Sequence, residues 1–233
     1  MIIIMNCRFD LHMHSFFSKD ATSPPEDLIA AAITKGLQGI AITDHDTCEA
    51  HTYLRNRPLP ENFLVVPGVE VSTSDGHLLS LGTTLPYLRG TSAKDVVQAV
   101  QAAGGLSVPA HPFDRWRAGI RASVLDTLDI EVIEVFNAAV TSRSYNKQAL
   151  DYATRRGLRM LAGSDAHRAS AVGVSSTVLE MDELSVPALL AALRKGGRPE
   201  GNYLTLREGI KKHFGNWFRK FNRRPPAPVR HLR

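Results

Sequence analysis

Cysteine and long hydrophobic runs are both scarce in this sequence. The 233 residues include only Cys7 and Cys48, which excludes a disulfide-stapled extracellular fold and predicts a reducing, cytoplasmic environment. No segment approaches the roughly 18 uncharged apolar residues that a transmembrane helix needs. The apolar run at residues 1–5 meets Arg8 and Asp10 almost at once, so we expect it to form a strand and not a targeting segment.

Three familiar catalytic loops are also missing. The sequence has no Cys-x5-Arg phosphatase loop, no Gly-x-Ser-x-Gly nucleophile elbow and no Gly-x4-Gly-Lys-Ser/Thr phosphate loop. No covalent protein nucleophile of these types is therefore expected. The hydrophobic share of 43% and the charged share of 22% are those of an ordinary globular protein.

Positive charge is concentrated at the C-terminal end. The formal net charge is +5, but residues 205–233 contain nine basic residues and one acidic residue, so the rest is slightly acidic. Apolar residues of this segment recur with helical spacing, at Ile210, Phe214, Trp217, Phe218 and Phe221. We therefore expect a catalytic domain at residues 1–204 and a basic amphipathic helix and tail at 205–233. The tail either packs on the domain or a partner subunit, or contacts RNA or an anionic surface.

Short apolar runs alternate with helical patterns along the first 204 residues, which predicts an α/β fold with a mostly parallel sheet. Seven runs predict strands, at residues 2–9, 39–43, 63–66, 77–81, 106–108, 130–136 and 158–162. Helical patterns lie at residues 23–36, 92–104, 142–157 and 185–195, with a weaker one at 46–57. The first helix has a start signal in Ser23-Pro24-Pro25-Glu26, where Ser23 is the expected N-cap.

Residues that can bind metal ions follow most of the strand-like runs. His12 and His14 are separated by one residue, so an extended backbone places both imidazoles on one side of the chain. Plainer explanations exist, such as a half-buried strand histidine at 77, a turn residue at His111 or a helix cap at Asp165. Several such explanations would have to coincide at successive strand ends. We therefore favour a metal centre, on the face where parallel barrels place active sites.

Five short motifs occur in order between residues 8 and 170. They are Asp10-Leu11-His12-Met13-His14-Ser15, Ile42-Thr43-Asp44-His45-Asp46-Thr47, Pro67-Gly68-Val69-Glu70, Ala110-His111-Pro112 and Gly163-Ser164-Asp165-Ala166-His167. Together they resemble the PHP (polymerase and histidinol phosphatase) family of metal-dependent phosphoesterases. The resemblance implies a distorted seven-stranded, TIM-like (β/α)7 barrel with two or three divalent ions at the C-terminal strand ends.

The resemblance also implies the metal ligands. One ion is expected at His12, His14, Glu70 and Asp165; a second at Glu70, His77 and His111; and a third at Asp20, His45 and His167. Family members place one ligand of the third ion five or six residues after the second histidine, which here means Lys19 or Asp20. Imidazole and carboxylate donors without a thiolate suit catalytic zinc, manganese or iron.

Further residues are candidates for roles beside the ions. Arginines in loops after the ligand strands would stabilise phosphoryl charge, unless they are solvated surface residues; the preferred candidates are Arg117, Arg121 and Arg143. Asp46 either protonates a leaving oxygen or orients His45, and we favour orientation. Asp10 and Asp44 are expected to support ligands from outside the first coordination shell.

Glu134 and Asn137 also match the strand-end pattern of the family. They are expected either to orient a ligand or a water molecule, or to form a buried structural hydrogen bond.

The leading hypothesis is hydrolysis of a phosphomonoester or phosphodiester by metal-activated water. Substrates in this class include nucleotides, short RNA ends and small phosphorylated metabolites. Only 33 residues separate His77 from His111, which leaves no room for an inserted lid domain and predicts an open pocket. The oligomeric state is not indicated.

Two other functions fit the sequence less well. An amidohydrolase-type C–N hydrolase often needs a bridging carboxylated lysine, but the bridging candidate here is Glu70, and Lys94 lies in a predicted helix. A non-catalytic, metal-containing nucleic-acid-binding module would be expected to have lost some ligands, and the ligand set is complete.

Overall fold

The computed structural model describes residues 4–204 of the chain, and this part is an α/β fold. Its strands are β1 (Met5–Asp10), β2 (Gly39–Ile42), β3 (Leu64–Ser72), β4 (His77–Leu81), β5 (Leu106–Pro109), β6 (Val132–Asn137), β7 (Arg159–Gly163), β8 (Ser175–Met181) and β9 (Arg198–Gly201). Its α-helices are α1 (Pro25–Thr34), α2 (Glu49–Leu54), α3 (Ala93–Ala102), α4 (Ala122–Leu125), α5 (Arg143–Arg156) and α6 (Val186–Lys195). Short 3-10 turns lie at Arg115–Arg117 and Ala169–Ala171.

The main sheet has seven strands in the order β5-β4-β3-β2-β1-β8-β9, and β6 pairs with β7 alone. The β6–β7 pair packs beside β5 on one side and β8 on the other, so the strands curl around a common interior. Each of the seven predicted runs contains a strand. Strands β8 and β9 were not predicted, and two of the predicted strands lie outside the seven-stranded sheet.

The prediction of a mostly parallel sheet is wrong. Three pairs are parallel (β1–β2, β2–β3 and β6–β7), but β4 runs antiparallel to both β3 and β5, and β8 runs antiparallel to β1 and β9. The turn between β3 and β4 at residues 73–76 is far too short for the crossover that a parallel pair requires. It closes with Gly76 at φ +137°, a conformation that favours glycine.

Serine caps and glycine stops define the helices that the sequence predicted well. The hydroxyls of Ser92, Ser142 and Ser185 accept hydrogen bonds from backbone N–H groups at the starts of α3, α5 and α6. The predicted capping role of Ser23 is wrong. Pro24 is the N-cap of α1, and the Ser23 hydroxyl accepts instead from Ala169 N at 2.9 Å, just after the last predicted ligand.

Helix α6 illustrates how the outer layer packs on the sheet. Leu189 and Leu193 are fully buried and lie in one hydrophobic cluster with residues of β1, β5 and β8. Helices α3 and α5 bury Val96, Val100 and Ala153 in a second cluster. The apolar positions of each helix recur every three or four residues, which is why only one face of each helix is buried.

The chain returns along β9 to the edge of the sheet where β1 ends. Gly201 pairs with Ser175, and Leu204 N donates to Ala138 O at 3.0 Å, directly after β6. The predicted basic helix and tail at 205–233, and the first residues of the predicted N-terminal strand, lie outside the described residues. None of the helices between residues 4 and 204 has the length and hydropathy required to cross a bilayer.

A pair of leucine truncations tests this packing. Leu193→Ala should lower the free energy of unfolding by about 2–5 kcal/mol, because it removes a fully buried side chain from a filled cluster. Leu150→Ala, in α5, makes the same change at a residue that is 45% exposed and should cost no more than about 0.5 kcal/mol. Urea unfolding curves measure both values, and equal losses would contradict the described packing.

Candidate metal centre

A single buried carboxylate, that of Glu70, lies at the middle of the candidate site. It comes from β3, and the residue is 1% exposed. Its Oε1 atom lies 2.8 Å from His77 Nδ1 and 3.0 Å from His111 Nε2. These imidazoles come from the start of β4 and the loop after β5. Antiparallel pairing sets Ser72 opposite His77, which brings the beginning of β4 to the end of β3.

Three more imidazoles approach the other oxygen of the same carboxylate. Glu70 Oε2 lies 3.3 Å from His12 Nε2, 3.2 Å from His14 Nε2 and 3.2 Å from His45 Nδ1. One carboxylate is thus surrounded by five histidines from four strand ends.

The extended backbone after β1 sets the two histidines of the HxH motif. Met13 forms a parallel bridge to Ala166 and accepts a hydrogen bond from Thr43 N at 2.8 Å, so this segment lies between two others. The Met13 side chain is fully buried in a hydrophobic cluster. Side chains alternate along extended backbone, so His12 and His14 lie together, with ring centroids 5.3 Å apart.

Two aspartates extend the cluster. Asp165 Oδ1 lies 3.3 Å from His14 Nε2 and 3.4 Å from His167 Nδ1. Asp20 Oδ2 lies 3.0 Å from His167 Nε2 and 3.6 Å from His45 Nε2. The structure therefore brings all nine predicted ligands into one continuous group, with Asp20, and not Lys19, facing the histidines.

Backbone strain accompanies this convergence. Asp46, His111 and Asp165 have φ values of 55°, 30° and 52°, in the left-handed region that residues other than glycine rarely adopt. Such outliers concentrate at functional sites, where the surrounding contacts hold them in place. Here Asp165 N donates to His12 O at 2.8 Å and His111 N donates to Glu134 Oε2 at 2.6 Å.

Glu134 and Asn137, at the end of β6, lie directly behind the ligands. Glu134 Oε1 lies 3.0 Å from His12 Nδ1, the ring nitrogen that faces away from Glu70. Asn137 Nδ2 donates to Asp165 Oδ2 at 3.1 Å and to Glu134 Oε2 at 3.1 Å. Both side chains are buried, and both fix the orientation of residues that face the interior of the cluster.

Arg117 reaches the same region from its 3-10 turn. Its Nη2 pairs with Asp165 Oδ2, and its Nη1 donates to Asn137 Oδ1 at 3.3 Å and to Ala139 O at 3.1 Å. Burial disfavours the charged form of the Arg117 guanidinium, but the nearby Asp165 and Glu70 carboxylates raise the pKa of Arg117 overall. The guanidinium therefore holds a carboxylate of the cluster from behind.

The other two predicted arginines lie farther out. Arg121 is exposed at the N-cap of α4, and Arg143 stacks over the Tyr203 ring at 4.4 Å from its centroid. Within residues 4–204, neither forms an ion pair with a predicted ligand.

The carboxylates of Asp10 and Asp44 accept hydrogen bonds from backbone N–H groups near the predicted ligands. Asp10 accepts from Ser164 N at 2.9 Å and Gly173 N at 2.8 Å, which places the segment that carries Asp165. Asp44 accepts from Ser15 N at 2.6 Å and Ser15 Oγ at 2.5 Å, next to His14. Burial raises the pKa of Asp10 to about 6.

The Asp46 carboxylate binds the end of β3. It accepts from Ser72 N at 2.7 Å, Ser72 Oγ at 2.8 Å and Arg89 Nη1 at 3.0 Å. Its own backbone N donates to Glu70 O at 3.0 Å. Among the described residues it makes no hydrogen bond to an imidazole, so its influence on His45 passes through the backbone.

The donor atoms fit divalent cations. Buried His14 Nε2 and His45 Nδ1 make no hydrogen bond within the described part of the chain, although each lies 3.2 Å from a carboxylate oxygen. Four groups of three residues place ligand atoms within 4.8 Å of one another: His14, His45 and His167; His12, His14 and Glu70; His12, His111 and Asp165; and His45, Glu70 and His77. Nitrogen and oxygen donors arranged in this way can bind metal ions.

The electrostatics of the cluster favour added positive charge. Burial opposes protonation of His12, but Asp165, Glu134 and Glu70 raise its pKa well above the ordinary value. His14 behaves in the same way and has its pKa raised to about 9. Burial would raise the pKa of Glu70, but His45, His77 and His12 lower it overall. Divalent cations would supply the charge that these ionised carboxylates attract.

The centre opens on one side. His45, His77 and Asp20 have side chains that are 23%, 19% and 29% exposed, whereas the other predicted ligands are almost fully buried. These three residues line a cavity of about 410 Å³. Among the described residues, this cavity is where the cluster meets solvent.

Several supporting residues were not predicted from the sequence. Ser18 Oγ lies 3.3 Å from His14 Nδ1 and accepts from His45 N at 2.8 Å. Asp114 fixes the turn of Arg117 by accepting from Trp116 N at 3.2 Å and Thr141 N at 2.8 Å. Serine and aspartate are common in loops, so nothing in the sequence distinguished these two.

A family model and two curated relatives each match part of the chain. Residues 143–197 match the family model described as PHP-associated. The uncharacterized protein MJ0417 of Methanocaldococcus jannaschii is 31% identical over 185 residues, which cover 77% of this chain and 72% of that protein. The probable phosphatase Ent638_1550 of Enterobacter sp. (strain 638) is 27% identical over 212 residues, covering 76% and 86%.

A solved structure shares the fold. It is a two-domain Bacteroides vulgatus protein described as containing a predicted PHP-like metal-dependent phosphoesterase. It has a TM-score of 0.67 and 18% identity, covering 91% of this chain and 70% of that one. The family match, the relatives and the shared fold agree with the histidine and carboxylate motifs. The chain belongs to the PHP family of metal-dependent phosphoesterases, hydrolases that act on phosphoester bonds.

Proposed function

We propose that this chain hydrolyses phosphomonoesters or phosphodiesters at a centre of two or three divalent ions built around Glu70. The observation that carries the proposal is the single buried carboxylate with five imidazoles within 3.3 Å. The substrate is a nucleotide, a short RNA end or another small phosphorylated molecule. The name of the Enterobacter relative, a probable phosphatase, agrees with this reaction.

Three overlapping ligand sets would hold zinc, manganese or iron. They are His12, His14, Glu70 and Asp165; Glu70, His77 and His111; and Asp20, His45 and His167. Bound ions of this kind lower the pKa of a coordinated water and polarise phosphoryl oxygens, so no protein nucleophile is required. The absence of the common nucleophile motifs is consistent with such chemistry.

The residues behind the ligands keep their donor atoms in place. Glu134 contacts the outward nitrogen of His12 and so leaves the inward nitrogen aimed at Glu70. Arg117 and Asn137 share one oxygen of Asp165 and leave the other facing His14. We assign Arg117 and Asn137 as positioning residues, and Asp46 as the residue that holds the end of β3.

We also propose that residues 1–204 form the catalytic domain, in a barrel closed by the β6–β7 pair between β5 and β8. This part would act in the cytoplasm, where both cysteines, Cys7 and Cys48, remain free.

The amidohydrolase alternative lacks its bridging lysine, because Lys94 is exposed at the start of α3.

Removing the central carboxylate tests the reaction. Glu70→Gln should reduce manganese-dependent turnover of aryl phosphates and nucleotides by more than about 100-fold, since even residues behind metal ligands affect activity by about 10- to 100-fold. Manganese should raise the melting temperature of the wild type but not that of the variant, because a ligand that binds only the folded state stabilises it. Steady-state assays and thermal scans measure both effects.

The matched control is Glu61→Gln, which makes the same change at an exposed turn residue. It should leave activity and the metal-induced shift unchanged. Full activity of Glu70→Gln, or no turnover of any phosphoester by the metal-loaded wild type, would overturn the proposal.

A charge-conserving change tests the positioning role of Arg117. Arg117→Lys keeps the positive charge but loses the planar guanidinium group, whose two Nη atoms contact Asp165, Asn137 and Ala139 together. We expect about a tenfold loss of manganese affinity or more, measured by calorimetric titration. Arg115→Lys, two residues away and exposed, should bind manganese like the wild type. Unchanged affinity in Arg117→Lys would refute the role.

A further inference from the structure

The cavity at the open side of the metal centre has two pairs of side chains that the proposed hydrolysis does not use. It is lined on one wall by His45, His77 and Asp20 of the centre. Phe17 and Lys19 line it from the loop after β1, and Tyr87 and Arg89 line it from the loop after β4. Each loop therefore supplies one aromatic ring and, two residues later, one cation.

Each pair of flanking residues encloses one middle residue, Ser18 between Phe17 and Lys19 and Leu88 between Tyr87 and Arg89. This middle residue anchors its loop. Ser18 is buried between His14 and His45 N, which fixes the segment that carries Phe17 and Lys19. Leu88 packs against a hydrophobic cluster.

The second loop is held further by its backbone. Thr91 N donates to Leu88 O at 3.1 Å, and Gly90 N donates to Ser72 O at 2.8 Å. The four flanking residues all line the cavity. The Phe17 ring also packs against the rings of Phe16 and Tyr53, at centroid distances of 4.4 and 5.5 Å, and Tyr87 is 69% exposed.

The two cations have donors to spare. Arg89 binds Asp46 Oδ2 through Nη1 at 3.0 Å, and its side chain is 54% exposed. A guanidinium has five N–H donors, so most of them are available for a ligand. Lys19 is exposed, and no ion pair involving it is present among residues 4–204.

We propose that Phe17, Lys19, Tyr87 and Arg89 form a nucleotide-binding pocket. A nucleobase packs against the rings of Phe17 and Tyr87, and Lys19 and Arg89 bind the phosphate charge beside the metal centre. Aromatic faces combined with cations are how proteins hold nucleotides without reading their sequence. The volume of about 410 Å³ lies within the range of small-ligand sites, roughly 300–1,000 Å³. The inference rests on the proposed phosphoester hydrolysis and selects nucleotides as its substrate class.

The role of the aromatic residues of the pocket is tested with two ligands that differ only in the base, adenosine 5′-monophosphate and ribose 5-phosphate. Wild type should have a kcat/KM about tenfold or more higher for the nucleotide, as expected for one stacked base. Tyr87→Ala should raise KM for the nucleotide about tenfold and so remove that preference. Trp116→Ala, which removes an even more exposed aromatic side chain (83%) outside the cavity, should preserve it.

The role of the cationic residues is tested with the same two ligands and with adenosine, which has the base but no phosphate. Arg89→Ala should weaken both phosphorylated ligands about tenfold and leave adenosine unchanged. Arg89→Lys should restore part of the loss, because the charge remains. Arg115→Ala, at an exposed arginine outside the cavity, is the control.

Binding separates this inference from the proposed hydrolysis. Calorimetry on chelator-treated protein, which cannot turn over substrate, should show tighter binding of adenosine 5′-monophosphate than of ribose 5-phosphate, and Tyr87→Ala should abolish the difference. Equal affinities, or no detectable nucleotide binding, overturn the pocket even if phosphoesters are hydrolysed. Selective nucleotide binding by a protein that hydrolyses nothing supports the pocket and refutes the hydrolysis.

Discussion

The structure depends on balancing the charge of one buried carboxylate. Glu70 is removed from water, and an unpaired buried charge is strongly unfavourable. Imidazoles from the loops after β1, β2 and β5 and from the start of β4 therefore all converge on its two oxygens. Any shift of one strand relative to β3 would withdraw a nitrogen from this group, so the ligand geometry and the alignment of the sheet constrain each other.

Strand direction is part of the same constraint. The other histidines follow their strands, but His77 begins β4. Because β4 is antiparallel to β3, its first residue lies at the edge where the parallel strands end, beside Glu70. The positive charges are divided between two sides: Arg117 is half-buried behind Asp165, whereas Lys19 and Arg89 face the open cavity. The inner cation pairs with Asp165, and the outer two are exposed to solvent.

Much of this could be predicted from local sequence, and the failures have identifiable causes. Apolar runs and serine caps are local signals, and the ligand types are recognisable by their chemistry. The hydrophobic periodicity of a sequence does not encode whether a strand runs parallel or antiparallel to its neighbours. This is why the antiparallel direction of β4 was not predicted. Strand β8 begins with Ser175-Ser176-Thr177, a buried polar triplet in which all three residues pair with β9 and Thr177 also pairs with β1. The hydroxyl of Ser23 was assigned to a local cap because its distant partner, Ala169 N, has no sequence signature.

The direction of β9 has a consequence for how the protein is handled. Because β9 ends beside the start of β8, the backbone at Leu204 lies against Ala138, one residue after Asn137 of the metal centre. A chain cut at this point would place a free carboxylate beside Ala138, next to the residue that supports Asp165 from behind. Truncations and tags at Leu204 alter the surroundings of the metal centre, even though they remove none of its residues.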